Sequence, residues 1–390
     1  MGRFSSVLAA VVRGAPWPSS SRWPLRPSPP ECQRKGQCGK KNEPLHGKSP
    51  VSIRNIDASR QNYEEAARFS LLDQSEISDC LLAILHAGMN ITKLLKRFRI
   101  DDPESFRLVC FNASDTGGID LDKDEAKVLL AADIKRLAQL QKRLYADGHW
   151  AVLIVLQGMD AAGKDGVIAH VMSGLNPQGC KVHAFKAPSE EELAHDFLWR
   201  SALRLPERGQ IGIFDRSHYE EVIVVRVHRE LLKRQKLPSK LVTKDIWVER
   251  FKDIHAFERH LARNGILVLK FFLHVSKKEQ RQRLLARLEE PDKHWKFSMS
   301  DIAERELWGK YMAAYEDMIQ ATSRPQAPWY VVPADSKPFA RLVVAAALIE
   351  ALEALDLQYP KVEGAALKEI QQVRNALKFD GGRAKVKMNP

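Results

Sequence analysis

An almost wholly apolar run, AVLIVLQ at 151–157, passes directly into GMDAAGKDG at 158–166 and then into VIAHVMSGL. A run of that kind reads as a strand buried on both faces. A Gly-rich turn that leaves such a strand and opens a helix gathers backbone N–H groups at a helix N-terminus, which makes a cradle for anions. The turn nearly fits the phosphate-binding loop G-x-x-x-x-G-K-[ST]. Gly158, Ala161, Ala162 and Gly163 supply the cradle, and Lys164 is placed to reach the outer phosphates of a ligand as a point charge. Asp165 stands where that motif carries a hydroxyl for magnesium, and Asp160 adds a second acid within the loop.

The surrounding order is regular. DKDEAKVLLAADIKRLAQLQKRLYADG has helical periodicity and ends at Gly148. Further short apolar runs lie at 181–185 (KVHAF), 211–214 (IGIF), 266–275 (ILVLKFFLHV) and 329–332 (WYVV), with helical patterns between them. This alternation predicts an α/β fold, a buried parallel sheet flanked by helices. Two segments read as inserts, 228–245 and about 277–310, the second dense in Lys and Arg. An apolar helix is expected near 338–356, followed by a polar tail over 361–390. There is no internal repeat.

The second acid for a metal comes from GQIGIFDRSHYEEV at 209–222. Its apolar strand ends in Asp215, where such folds hold magnesium, and Arg216 follows with a planar, bidentate donor set for phosphate. Taken alone, Asp215 also reads as a helix N-cap. Mg²⁺ takes one or two carboxylates together with water and phosphate oxygens. Asp160 and Asp215 supply two, so the missing hydroxyl is not needed and Asp165 is left to a local contact.

In SKKEQRQRLLARLEEPDKHWKF at 276–297, Lys277 and Arg281 are spaced i,i+4, as are Arg283 and Arg287, with Lys293 and Lys296 beyond. Such a segment is either a solvated helix or a lid that closes over phosphates. In PSEEELAHDFLWR at 188–200, a single helix would align Glu191, Glu192, His195, Asp196 and Arg200 beside Phe197 and Trp199. That face either holds a nucleoside or merely backs a helix that buries Leu193, Phe197 and Leu198.

The net charge of +12 calls for a nucleic acid, an anionic membrane surface or a polyanionic substrate. The five scattered cysteines show neither a disulfide framework nor paired C-x-x-C spacing, which points to a reducing compartment such as the cytoplasm. No apolar run approaches the roughly 20 residues of a membrane span. The first thirty residues contain no Asp or Glu and are rich in Ser, Pro and Arg. They read as a disordered tail, as sequence upstream of the true start, or as a transit peptide. Met89 is a candidate internal start, and residues 1–88 are expected to be disordered or weakly structured, with a possible helix over 60–87 carrying Leu71, Leu72, Ile77, Leu81, Leu82 and Leu85.

GMDAAGKDG, SEEELAHDFLWR, FDRSHYEEVIVVRVH, RFKDIHAFERHL, LKFFLHVSKKEQRQRLLARLEEPDKHWKFSMSD and APWYVVPAD together resemble the polyphosphate kinase 2 family, over roughly residues 95–360. The resemblance implies a P-loop kinase-like fold akin to thymidylate kinase: a five-stranded parallel sheet, helices on both faces and a basic helical lid, set in a phosphotransferase domain at 89–360. It implies Mg²⁺-dependent transfer of the terminal phosphate of inorganic polyphosphate to ADP or GDP, and to AMP or GMP, or the reverse reaction. Carried over by motif, the loop acid falls on Asp160, the loop lysine on Lys164, the strand-end acid and arginine on Asp215 and Arg216, and the lid basics on Arg281, Arg287 and Lys296. Glu192, Asp196 and Arg200 are the candidates for the acceptor nucleotide. Many relatives have Gly after the loop lysine, which argues against a metal role for Asp165. SHYEEVIVVRV looks like members that accept monophosphates as well as diphosphates. The expected partners are polyphosphate, a nucleotide and further copies of the chain, with neither nucleic acid nor membrane among them.

Two other readings fit parts of the pattern. An ATP-dependent kinase of the thymidylate or adenylate type shares the fold, loop and lid, but needs an adenosine site on the donor side. A nucleic-acid-binding protein would need aromatics interleaved with its basic residues, and the lid has only Trp295 and Phe297.

Overall fold

The structure, a computed structural model, describes residues 91–119, 122–296 and 298–378. The expectations for residues 1–88, including the helix over 60–87, and for the last residues of the tail lie outside these.

The helices α1 (Ile91–Phe98) and α2 (Lys123–Asp147) precede the sheet. The start of α2 is fixed by a capping box. Asp122 Oδ1 accepts from the amides of Asp124 and Glu125 at 2.7 and 2.8 Å, and Glu125 Oε2 accepts from the Asp122 amide at 3.0 Å. The helix stops at Gly148, whose φ of 66° is the left-handed cap that glycine adopts without strain. The strand β1 (Ala151–Gln157) and the helix α3 (Lys164–Val171) come next, then β2 (Cys180–Ala184), β3 (Ile211–Asp215), α4 (Ile246–Arg263) and β4 (Ile266–His274). The basic segment forms α5 (Lys277–Glu289), a 3-10 turn at Pro291–Lys296 and α6 (Ser300–Glu306). The long helix α7 (Trp308–Thr322), β5 (Trp329–Pro333), α8 (Lys337–Glu353) and α9 (Ala365–Lys378) complete the chain.

The five strands form one parallel sheet in the order β2-β3-β1-β4-β5. All seven residues of β1 are buried, as its apolar run predicts. α1, α2, α3 and α8 pack as one group, and α4 packs on β4 with α7 beside it. The register sets Leu156 opposite Asp215, so the loop that leaves β1 and the acid that ends β3 emerge side by side at the carboxyl edge of the sheet.

The five expected strands and the helix near 338–356 are present. Three details differ from the sequence reading. β2 is an edge strand with Val182 about half exposed, where the sequence reading has a buried strand. The single helix expected over 188–200 is broken into turns at Glu190–Leu193 and Trp199–Ala202. Ser189 and Glu192 close a capping box that starts the first turn, and between the two turns Asp196 Oδ1 accepts from the Leu198 amide at 2.9 Å. The segment read as a polar tail contains α9, an amphipathic helix.

Candidate active site

The loop is built by residues in unusual backbone conformations. Gly158 admits no side chain, since a Cβ there would stand 2.9 Å from the Leu273 carbonyl oxygen. Gly163 caps α3 with φ 109°. Ala161 and Arg216 are non-glycine residues at φ 62°. Strain of that kind persists only where the surroundings enforce it, and it gathers at functional sites.

Those surroundings are visible, and the sequence reading missed most of them. Arg283 is buried behind the loop and donates to five oxygens: Ala161 O and Ala162 O at 3.0 and 2.9 Å, Ala334 O and Asp335 O at 2.6 and 3.1 Å, and Glu279 Oε1 at 2.8 Å. One turn earlier, Gln280 Nε2 donates to Asp160 O at 3.0 Å. The N-terminal half of α5 is thereby bound to the phosphate loop and to the end of β5. The expectation that Arg283 and Arg287 project together from a lid is corrected accordingly. Arg283 fixes the loop from behind, while Arg287 faces Asp301 of α6 at 3.5 Å and Arg281 is exposed. The side chain of Lys296 lies outside the described part of the structure.

The remaining charges gather beside the loop. Lys164 is buried, and its ammonium donates to Gly158 O at 2.9 Å and Met159 O at 3.4 Å. Burial lowers its pKa, with Arg216 adding to that effect and Asp160, Asp215 and Glu220 opposing it. Arg216 donates to Asp160 Oδ1 at 2.6 Å and Glu220 Oε2 at 3.1 Å, and its amide bonds Leu156 O. Gln157 ends β1 with its amide nitrogen facing Glu220 Oε1 at 2.9 Å, since the opposite orientation would set two oxygens together. Asp215 Oδ1 is buried with no hydrogen-bond partner. Burial raises its pKa, Lys164 and Arg216 lower it, and the charges of Asp165 and Asp160 raise it.

Of the acceptor candidates, Glu192 and Arg200 come together at 3.3 Å. Arg200 also lies over the Phe185 ring, 5.1 Å from its centroid, and donates to Lys186 O. Asp196 serves the Leu198 turn. His195 and Trp199 stack at 3.9 Å with a 10° interplanar angle. Close by, Arg250 joins Glu221 and Gln235 and covers the rings of Phe197 and Trp247.

A second buried cluster lies below the segment that follows Arg216. Lys270, in the middle of β4, donates to Glu258 Oε2 at 2.5 Å, Tyr219 Oη at 2.9 Å and Thr322 O at 2.8 Å. Tyr219 Oη donates to Glu258 Oε1 at 2.6 Å. Lys270 is a lone charge in ILVLKFFLHV, and a charge in a buried strand requires a partner. That was the available signal, whereas Glu258 and Tyr219 carry none of their own.

A strained phosphate loop flanked by an acid–arginine strand end, under a basic helix that holds the loop's own carbonyls, defines a P-loop phosphotransferase. Comparison with known proteins specifies which one. The family profile described as Polyphosphate kinase 2 (PPK2) matches residues 120–360. An ADP-polyphosphate phosphotransferase of Rhodopseudomonas palustris is 51% identical over 256 residues, 65% of this chain and 89% of that protein. An AMP/ADP-polyphosphate phosphotransferase of Meiothermus ruber is 46% identical over 274 residues, 70% of this chain and 98% of that one. The crystal structure of polyphosphate kinase 2 from Arthrobacter aurescens TC1 superposes with a TM-score of 0.66 at 39% identity, covering 73% of this chain and 96% of the other. The chain belongs to the polyphosphate kinase 2 family, and it is a phosphotransferase. Among the described residues, no helix is long and apolar enough to cross a membrane.

Proposed function

We propose that this enzyme transfers the terminal phosphate of inorganic polyphosphate to a nucleoside diphosphate such as ADP or GDP, accepts AMP or GMP as well, and runs the reverse reaction. The observation that carries this reading is the pairing, at one sheet edge, of the phosphate loop with Asp215 and Arg216. The names of the two relatives above support ADP and AMP as acceptors.

The residues fit a bound Mg²⁺. Asp215 Oδ1 is a buried carboxylate oxygen that lacks a donor, and Asp160 presents a second carboxylate nearby. Two carboxylates, completed by water and phosphate oxygens, are what Mg²⁺ takes at phosphoryl-transfer sites. Asp160 and Asp215 would hold it, and when bound it neutralises charge on the phosphate oxygens. Gly158–Gly163 and Lys164 cradle the donor phosphates, and Arg216 orients the phosphoryl group. An oxygen of the acceptor's terminal phosphate attacks the terminal phosphorus of polyphosphate. The bond to the next phosphate breaks, and the chain leaves one unit shorter. That acceptor oxygen is already ionised near neutral pH, so no protein group has to remove a proton. Positioning and charge neutralisation then carry the catalysis. Glu192, Asp196 and Arg200 face the acceptor nucleotide, although Asp196 also holds the Leu198 turn. Arg281, Arg287 and Lys296 contact the polyphosphate chain. The catalytic unit is placed at 89–360, with extensions at 1–88 and 361–390, and the enzyme is read as a cytoplasmic homo-oligomer.

Replacing Arg281 by Glu tests the donor assignment. The variant loses one attraction and gains one repulsion on an exposed face, worth about 1–2 kcal/mol or roughly tenfold in binding. The KM for long-chain polyphosphate is expected to rise by that factor, with the KM for ADP nearly unchanged. The salt dependence of the polyphosphate KM should become shallower as fewer counterions are released. Initial rates at two salt concentrations measure both. An unchanged polyphosphate KM and salt slope would reduce Arg281 to a solvated surface charge.

A further inference from the structure

The helix α9 begins beyond residue 360, where the family match ends, and none of its residues is buried. Its sequence is nevertheless not that of a solvated helix. Leu367, Ile370, Val373 and Leu377 are 56%, 51%, 47% and 69% exposed. Ala366, Ile370, Val373 and Leu377 share one open face of the helix with Glu369 and Arg374. Spacings of four, three and four along 366, 370, 373 and 377 are those of a coiled-coil seam. We propose that α9 pairs in parallel with the α9 of a second copy of this chain, as a short two-stranded coiled coil.

Charge selects this occupant and this orientation. With Ile370 and Leu377 at a and Ala366 and Val373 at d, Glu369 falls at g and Arg374 at e. In a parallel pair, g faces the e position five residues further along the other helix. Glu369 then meets the partner's Arg374, and the symmetric pair forms as well. An antiparallel pair sets g against g and e against e. Glu369 would then face the partner's Ala376 and Arg374 the partner's Leu367, so neither charge would gain a counter-ion. The seam spans only two heptads, shorter than an isolated helix needs in water, so pairing is expected to be weak and concentration-dependent. The inference does not depend on the phosphotransfer reading.

The test uses the full chain. Ile370→Cys, oxidised over a dilution series, should give a covalent dimer that the wild type, with its five cysteines, does not give. Ile370→Asp should lower the sedimenting mass at matched concentration, with the melting temperature of the kinase body unchanged. Glu369→Arg and Arg374→Glu should each lower the dimer fraction, and the double swap should restore it. Three results would overturn the proposal. The first is that the wild type and Ile370→Asp sediment alike at every concentration. The second is that Ile370→Cys yields only monomer, including an internal bond that places another segment of the chain on the seam. The third is that the double swap does not restore what each single change removes.

Discussion

Replacing Asp215 by Asn is expected to lower turnover by about 10²–10³-fold, the scale for losing one preorganised electrostatic partner at a reacting phosphate, and to raise the melting temperature of the Mg²⁺-free protein at neutral pH. The two effects share a cause. The Asp215 carboxylate is half-buried, with Oδ1 inaccessible and unpartnered, and burial raises its pKa above the ordinary 3.8. A raised folded-state pKa means that the native protein holds this proton more tightly than the unfolded chain does. Stability is therefore lost as pH rises from the unfolded value through the folded one. Asn carries no charge and omits that loss, so its gain should be present at neutral pH and vanish in acid. Asp160→Asn should also cut turnover but without the gain, because the Asp160 carboxylate already has Arg216 at 2.6 Å. Asp165→Gly should be much milder in rate. Steady-state rates and melting curves from acid to neutral pH provide the comparison. Equal severity of Asp165→Gly and Asp215→Asn would refute the metal assignment.

The largest loss of stability is expected from Lys270→Met. It removes one partner of a buried ion pair and leaves Glu258, itself almost inaccessible, without its main counter-charge. Breaking such a pair from one side costs about 3–5 kcal/mol. Burial works against the Glu258 charge, and Lys270 is the first of the groups that hold its pKa down, so removing Lys270 leaves a desolvation penalty that His218 offsets only in part. Tyr219 loses the ammonium as well. It sits in the turn His218–Glu221 that follows Arg216, so turnover should fall along with stability. The double variant Lys270→Met/Glu258→Leu replaces both charges with apolar groups of similar size and should recover much of the stability, because the pair's net contribution is far smaller than the cost of halving it. Denaturant unfolding of the two single variants and the double measures this coupling. A Lys270→Met variant that unfolds at the wild-type midpoint would show that the pair contributes nothing.

The fold was largely legible because its signals are local. Continuous apolar runs announced the strands of a parallel sheet, and Gly148 announced the end of α2. The loop was legible for the same reason: Gly158, Gly163 and Lys164 lie within seven residues of one another. The supports of the site were not. Arg283 reaches carbonyls about 120 residues before it and 50 after it, and nothing in the basic pattern of α5 separates the residue that turns inward from Arg281, which does not. The segment 188–200 misled because its helical periodicity is real but shorter in reach than the capping by Ser189 and Asp196. α9 escaped notice because a reading by composition averages its apolar seam with the polar and charged residues on either side of it.

The most direct test of the central claim is a donor-exchange assay: purified enzyme and Mg²⁺ with ADP, GDP, AMP or GMP, each incubated with long-chain polyphosphate or with ATP as donor, and the nucleotides resolved by chromatography. The predicted result is ATP from ADP and GTP from GDP with polyphosphate alone, the same chemistry on the monophosphates, and shortening of the polyphosphate in step with product. Phosphorylation of a monophosphate by ATP, with no product from polyphosphate under any acceptor, would contradict it.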